Sequence, residues 1–360
     1  MLQAFRASLV PFRGAAGQVT NTVIGKISHI AAPANADKAL HSFKNNVGIS
    51  NSAIAAGRTL QGQISSPTTG SGPVAVQSVL SPQQVYDKAV ETGEAKANGP
   101  FAKTFVSAVL AGAYVGFGAM LALSIGGNCP DMAASNPGLQ KMVFGAFGLP
   151  VGLLMVLVCG AELFTSNAAM VPAAVYERRA RLAQLARNWA IAYSGNMVGA
   201  LMLVGIAAVA GIFHDAPSGA MYYATYKTSH SFLETFGRGI LCNWLVCLAV
   251  WQATAANTLG GKAIAVWFPI SAFVAMGLEH SVANMFIIPM GMAAGADVTV
   301  SQFLWNNLLP VTLGNIVAGT TFVAGAYSCI YGTLLKRILG SAGAQRGKQA
   351  ITEAVRTRTL

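Results

Sequence analysis

The sequence predicts an all-α polytopic membrane protein: six transmembrane helices in two inverted three-helix repeats, with the second and fifth helices broken. Three observations carry that prediction. Of 360 residues, 54% are hydrophobic and 10% charged, whereas an ordinary soluble domain is about 25% charged. Six apolar stretches of membrane length follow one another between short polar separators. Two of those stretches share a glycine–glutamate–proline pattern at mid-depth. A soluble enzyme with so little charge has nowhere to place its apolar surface, and chain-wide disorder needs the opposite composition. The net charge of +11 does not mark a nucleic-acid binder, because the basic residues sit at the ends and in loops flanking apolar blocks.

The chain opens on different material. Residues 1–80 carry Arg6, Arg13, Lys26, Lys38, Lys44 and Arg58 against one acid, Asp37, and contain no apolar run of membrane length. Leu2, Phe5, Leu9 and Phe12 share a face at helical spacing. A basic, acid-poor, amphipathic start reads as an organelle transit peptide leading into a disordered leader. A disordered basic tail on a plasma-membrane protein is the alternative. Order is expected to begin at Ser81, which can cap a helix with Pro82 at its first position and Gln84 completing a capping box. That helix, over 81–100, would lie along the membrane surface with Val85 and Ala89 on one face, and Pro100 would stop it.

A span needs about 20 apolar residues. Candidates fall at 103–126, 141–175, 188–213, 229–255, 262–295 and 303–335, within a six-span unit over 101–338. Six crossings put both termini on one side. The 176–187 loop, with four arginines against Glu177, faces that side, and so does a basic tail over 339–360 with Arg346 and Lys348. The lysine and arginine bias makes this the interior side. Cys129, Cys159, Cys242, Cys247 and Cys329 form an odd, scattered set without a CxxC pair. Neither a disulfide framework, a metal nor any other cofactor is expected.

The second and fifth stretches are too long for one straight crossing. Gly160, Glu162 and Pro172 are matched by Gly277, Glu279 and Pro289, 117 positions on. Asn188, Gly195, Asn196 and Val198 are matched by Asn307, Gly314, Asn315 and Val317, 119 positions on. The first and fourth stretches align poorly. A repeat unit with an odd number of spans must sit inverted relative to its partner. Paired broken helices in such repeats bracket a substrate site near the midplane. Backbone freed at that depth is tolerated only where it lines a polar cavity or is buried in protein. Half-helices restarting after residues 165 and 280 would aim N-terminal N–H groups inward, favouring an anion.

His280 is the one histidine well inside an apolar stretch; His29 and His41 lie in the leader, His214 and His230 at span ends. An ionisable residue at that depth is costly and marks function. A neutral imidazole could pass a hydrogen bond or proton to a small anion, although a histidine bonded within the bundle is the plainer reading. Glu162 and Glu279 read as loop supports that accept from freed N–H groups, since a carboxylate in an anion path repels its cargo. Ser166 and Asn284 are grouped with them. Thr165, Asn167 and Asn243 offer donors, with helix–helix bonding the plainer alternative. Lys227, read as part of the loop before the fourth span, would concentrate anions at one mouth; a solvated loop lysine is the alternative.

At LVCGAELFTS (157–166) the chain resembles the first signature of the formate–nitrite transporter family, and at GILCNWLVCLA (239–249) the second. EHSVANMF (279–286) resembles the segment that carries the family's central histidine. The similarity spans 85–335, and within the family the chain looks most like the algal chloroplast branch, whose members carry nitrite or bicarbonate. The resemblance implies an aquaporin-like protomer in the lipid bilayer, a homopentamer and one pore per protomer. It also implies that Thr165 and His280 contact the anion between two apolar constrictions, with Asn243 a polar pore residue and Lys227 a vestibule lysine. Leu163, Val246 and Phe273 match constriction positions. Leu149, with Leu153 one turn on, stands where bacterial members often carry phenylalanine.

The implied function is passage of small monovalent weak-acid anions, with nitrite first and bicarbonate or formate as alternatives. The implied place is the chloroplast inner envelope with both termini in the stroma, the mitochondrial inner membrane being the alternative. Two other readings fit less well. A neutral-solute channel needs neither lysine nor histidine, and the paired Asn-Pro-Ala boxes of aquaporins are absent from both breaks. An intramembrane enzyme using Ser281 or Glu279 with His280 would need a nucleophile and base oriented by a third group, and adjacent helical residues do not face one another.

Overall fold

A chain solvated by acyl chains must satisfy its backbone internally, and helices do so within one segment. The computed structural model describes residues 79–340. Among them the regular elements are helices, with one isolated bridge between Val79 and Ala256. The expected transit peptide and leader, and the basic tail, lie outside the described residues except at their inner ends.

Helix α1 (Pro82–Ala97) is opened by Ser81, whose hydroxyl accepts from the Gln84 N–H while the Gln84 side chain accepts from the Ser81 N–H. The first crossing is α2 (Phe101–Ile125). A short helix α3 (Pro130–Ser135) leads to α4 (Pro137–Ala146) and α5 (Leu149–Val158), which form the first part of the second crossing; α6 (Phe164–Tyr176) resumes it after a break. The third crossing is α7 (Leu182–Val209). Helix α8 (Ser218–Thr228) precedes the fourth crossing, α9 (Phe232–Ala255). The fifth is split into α10 (Leu259–Ala275) and α11 (Ser281–Ala293). The sixth, α12 (Gln302–Ile330), contains π-helical stretches at Gln302–Leu308 and Ala318–Gly325.

Six crossings with the second and fifth broken are therefore present, and the half-helices restart at Phe164 and Ser281. One element escaped the sequence reading. Residues 218–228, which precede the expected fourth span and read as loop, form α8, which packs on α11 as α1 packs on α6. The two helices are repeat partners, aligned so that Lys96 corresponds to Lys227, 131 positions on. That offset differs from the 117 of the breaks because the first unit carries fourteen more residues between its first crossing and its break. The extra chain contains the turn Gly126–Asn128 and α3.

The core lies between the crossings. Gly199 of α7 meets α2 so closely that a Cβ there would fall on the Val109 carbonyl. The outer faces are apolar: Val106, Leu110 and Phe117 of α2, Ile206 and Val209 of α7, and Ile264 and Phe268 of α10 are exposed. These are the faces a bilayer or a neighbouring apolar surface would cover.

Beside the start of α1, one carboxylate ties three segments together. Glu177, just after α6, accepts from the Tyr86 hydroxyl of α1 at 2.6 Å and from the Thr333 N–H and hydroxyl at 3.0 and 2.8 Å. Burial pushes the Glu177 carboxyl up, but the bonds from Tyr86 and Thr333 and the Arg337 charge outweigh that and hold it below the ordinary carboxylate value. A carboxyl with a depressed folded-state pKa stabilises above its unfolded pKa, and that contribution is lost as pH falls through the folded pKa. Glu177→Gln is therefore expected to loosen α1 at neutral pH, seen as faster amide exchange over 82–97, with the difference from the parent chain vanishing in acid. An equal difference at both pH values would contradict this role.

Candidate functional site

Both breaks are built alike. Gly160 and Gly277 adopt φ of +72° and +71°, the left-handed region where glycine carries no Cβ penalty, and each is followed two residues later by a glutamate. Glu162 accepts from Asn167 at 2.6 Å and Asn188 at 3.1 Å, and pairs with Lys96 at 2.6 Å. Glu279 accepts from Asn284 at 2.6 Å and Asn307 at 3.1 Å, and pairs with Lys227 at 3.1 Å. The asparagines within each set are joined to one another at 2.8 Å.

A further asparagine closes each break. Asn196 Oδ1 accepts from the Phe164 N–H at 2.9 Å, and Asn315 Oδ1 from the Ser281 N–H at 3.0 Å. Their amide groups donate to the carbonyls of Glu162 and Glu279, and to those of Ala108 and Gly239 on the first and fourth crossings. Ala108 and Gly239 stand 131 positions apart, as the lysines do, so the first and fourth crossings repeat at that register. Helix polarity alone would leave the N-terminal N–H groups of the half-helices for an anion. Instead the leading N–H of each is taken up by an asparagine.

The chemistry at the centre is not duplicated. His280, 5% exposed, caps α11: its Nδ1 accepts from the Ala283 N–H at 2.9 Å. A ring nitrogen that accepts carries no proton, so the imidazole is the neutral Nε2–H form. Its Nε2 lies 3.0 Å from Thr165 Oγ1, and donation there leaves the threonine hydroxyl hydrogen for another acceptor. Asn243 donates from α9 to the Thr165 carbonyl at 3.2 Å and the Asn315 carbonyl at 2.7 Å. At the repeat-related positions the first unit has Leu163 for His280 and Gly112 for Asn243.

A cavity of about 480 Å³ opens on the side of α3 and α8 and reaches His280. Among the described residues that line it, Lys141 and Lys227 are the charged ones, and none is a carboxylate. Tyr223 and Tyr226 line its wall, and Leu149 and Phe273 lie with His280 in the lining. The Phe273 and His280 ring centroids are 5.9 Å apart. Leu153, Leu163 and Val246 are buried in the core but do not line this cavity. Among the described residues, no three His, Cys, Asp or Glu side chains gather to hold a metal.

The structure therefore brings together His280, Thr165 and Asn243, and it places Glu162, Glu279 and Asn284 in the clusters that hold the breaks. Lys227 is not a loop residue: it occupies the last turn of α8, is 7% exposed, and is fixed by Glu279. Ser166, grouped with the loop supports, has a buried hydroxyl without a hydrogen-bond partner among the described residues. Lys96 was missed altogether. The signal that finds it is the 131-residue register, which a comparison confined to the breaks does not reveal.

Lys227 and the fully buried Glu279 form a pair that cannot lose one member cheaply, since a stranded buried charge costs about 3–5 kcal/mol. Lys227→Met is expected to lower the thermal stability of the detergent-solubilised protein markedly, and Lys227→Met with Glu279→Gln to recover much of the loss. A double variant no more stable than the single one would show that the charges do not depend on each other.

Comparison with known proteins agrees with this architecture. Residues 83–329 match the formate/nitrite transporter family. The chain is 43% identical over 271 residues to a probable formate transporter of Methanothermobacter thermautotrophicus, covering 71% of this chain and 98% of that protein. It is 36% identical over 275 residues to the formate channel FocA of Escherichia coli strain K12, covering 70% and 95%. Among solved structures it resembles an FNT family ion channel (TM-score 0.60, 30% identity, 68% of this chain and 96% of that one). It also resembles a pentameric formate channel with formate bound (TM-score 0.56, 33% identity, 64% and 97%). These relatives are channels and transporters rather than enzymes, and the chain, a multi-pass membrane protein, belongs to the formate/nitrite transporter family.

Proposed function

We propose that this protein conducts small monovalent weak-acid anions across a membrane, with nitrite or formate as cargo and bicarbonate as the bulkier alternative. The observation that carries the reading is the cavity whose charged lining, among the described residues, is Lys141 and Lys227 and which reaches His280, with Thr165 buried behind the histidine at 3.0 Å from its Nε2. A bare anion cannot enter an apolar constriction cheaply, because an unpaired charge loses its hydration there. Lys141 at the mouth raises the local anion concentration, whereas the Lys227 charge is taken up by Glu279. Neutral His280 then holds Thr165 so that its hydroxyl hydrogen is left for a small oxyanion. Leu149 and Phe273 beside it exclude water, and Leu153, Leu163 and Val246 extend the apolar barrier. Formate and nitrite are both bent anions with two oxygens on one central atom, a shape such a short polar contact accommodates.

We read the assembly as a homopentamer with one pathway per protomer, supported by the pentameric relative and by the apolar outer faces. We read its place as the chloroplast inner envelope, a reading that rests mainly on the resemblance to the algal chloroplast branch, with the basic, acid-poor leader and the arginine-rich 176–187 loop consistent with an organelle membrane.

The test is anion uptake into liposomes holding the full chain, comparing nitrite, formate and bicarbonate from about pH 5 to pH 8, the range over which histidine chemistry changes. Saturable uptake of nitrite or formate is expected. Losing a donor to a charged group costs about 1.5–3 kcal/mol, so His280→Ala should change flux by about ten- to a hundredfold while the oligomer still elutes intact. Unaltered flux and pH profile in that variant would remove His280 from the pathway. Water or glycerol flux without anions would overturn the proposal.

A further inference from the structure

The two breaks are duplicated in their glutamate clusters but not in what holds the glycine that opens them. In the second unit, Arg238 of α9 reaches across to the break. Its Nη1 donates to the Gly277 carbonyl at 3.2 Å and to the Tyr226 hydroxyl of α8 at 3.0 Å, while Nη2 donates to Glu234 at 2.7 Å. The guanidinium also lies 5.8 Å from the centre of the Tyr226 ring. The backbone of the same residue takes part, since the Arg238 carbonyl accepts from the Glu279 N–H at 3.4 Å. One side chain thus joins α8, the fourth crossing and the left-handed glycine that lies three residues before His280.

The first unit keeps the backbone half of this arrangement and lacks the rest. The Ser107 carbonyl accepts from the Glu162 N–H at 3.1 Å, and Ser107 stands 131 positions before Arg238. The position related to Tyr226 is Ala95. Around Gly160 nothing lies within 4 Å of an added Cβ, whereas at Gly277 the Tyr226 hydroxyl and Arg238 Nη1 stand at 3.8 and 3.9 Å. The side-chain clamp is present only at the break that carries His280; the unclamped break presents Leu163 at the equivalent place.

We propose that Arg238, anchored by Tyr226 and Glu234, is a positioning residue that fixes the 277–280 backbone and so holds the His280 imidazole on Thr165. A planar guanidinium suits this task because it directs several N–H groups at fixed angles. A leucine at the equivalent point needs packing only, but an imidazole donating through Nε2 while accepting through Nδ1 must keep both its depth and its ring orientation. The functional part of this inference rests on the anion-conduction reading; the geometric part does not.

The experiment compares the parent chain with Arg238→Gln, Arg238→Lys and Tyr226→Phe, full length in liposomes. It measures formate uptake across pH and the ¹⁵N signals of the histidine side chains, with His280 assigned by its absence in His280→Ala. In Arg238→Gln the His280 signals are expected to shift or broaden, and maximal flux to fall about tenfold, the equivalent of about 1.4 kcal/mol, with an altered pH profile. Tyr226→Phe should show a smaller change of the same kind. Arg238→Lys should restore flux in part, since an ammonium can reach one anchor but not form the fork. If Arg238→Gln leaves the His280 signals and the pH profile as in the parent, the positioning role is overturned, even where yield or flux has dropped. If the parent carries no formate or other anion, the proposed function fails, and the imidazole signals still decide whether Arg238 positions His280.

Discussion

A carboxylate at each break, Glu279 fully buried and Glu162 largely so, is the interaction on which the rest of this structure depends. Interrupting a helix at membrane depth frees N–H and carbonyl groups that no water can reach. The chain answers with Glu162 and Glu279, each neutralised by a lysine and saturated by two asparagine amides. A lone carboxylate there would be prohibitively costly; a carboxylate with a cation and two donors becomes a rigid knot. Because the knot draws its members from α1 or α8 and the third or sixth crossing, and its closing asparagine adds the first or fourth, it fixes the relative heights of nearly every element in its half.

On this shared frame the two halves diverge where chemistry is needed. Leu163 and His280 occupy related places, as do Gly112 and Asn243. Gly112 lets two backbones meet, while Asn243 uses its amide to bridge the Thr165 and Asn315 carbonyls. The frame tolerates these exchanges because the glutamate clusters, built from other residues, are the same in both halves. On the proposed function, polar groups between the breaks can then serve the anion, provided something else keeps them in register.

Much of this was legible in the sequence. The Gly-x-Glu breaks, the repeated asparagines of the third and sixth crossings, and His280 stand out because polar residues are conspicuous in apolar runs. The capping box at Ser81 was legible because its partners lie within one turn. What stayed hidden had physical reasons. Helix α8 is short and rich in tyrosine, serine and threonine, so it resembles a connecting loop until its packing on α11 is seen. Lys227 looked solvated because its partner, Glu279, is 52 residues away. Lys96 and the relation between the first and fourth crossings were masked by the extra chain around α3, which shifts the repeat register from 117 to 131. The roles of Asn196 and Asn315 in capping the half-helices depend on distances between crossings that periodicity does not encode.

That extra chain has a consequence of its own. It lies in one repeat only and contributes Cys129, Pro130 and Ala133 to the lining of the cavity, so the mouth on that side is built from chain that the other repeat lacks. For a solute crossing without an energy source, unequal funnels cannot alter the final balance of concentrations, because every route in is also a route out. They do alter how often a solute is captured from each side, since encounter rates follow the local field and the width of the mouth. On the proposed conduction, a mouth shaped by chain from one repeat only would make loading from one compartment saturate at a different concentration from loading from the other.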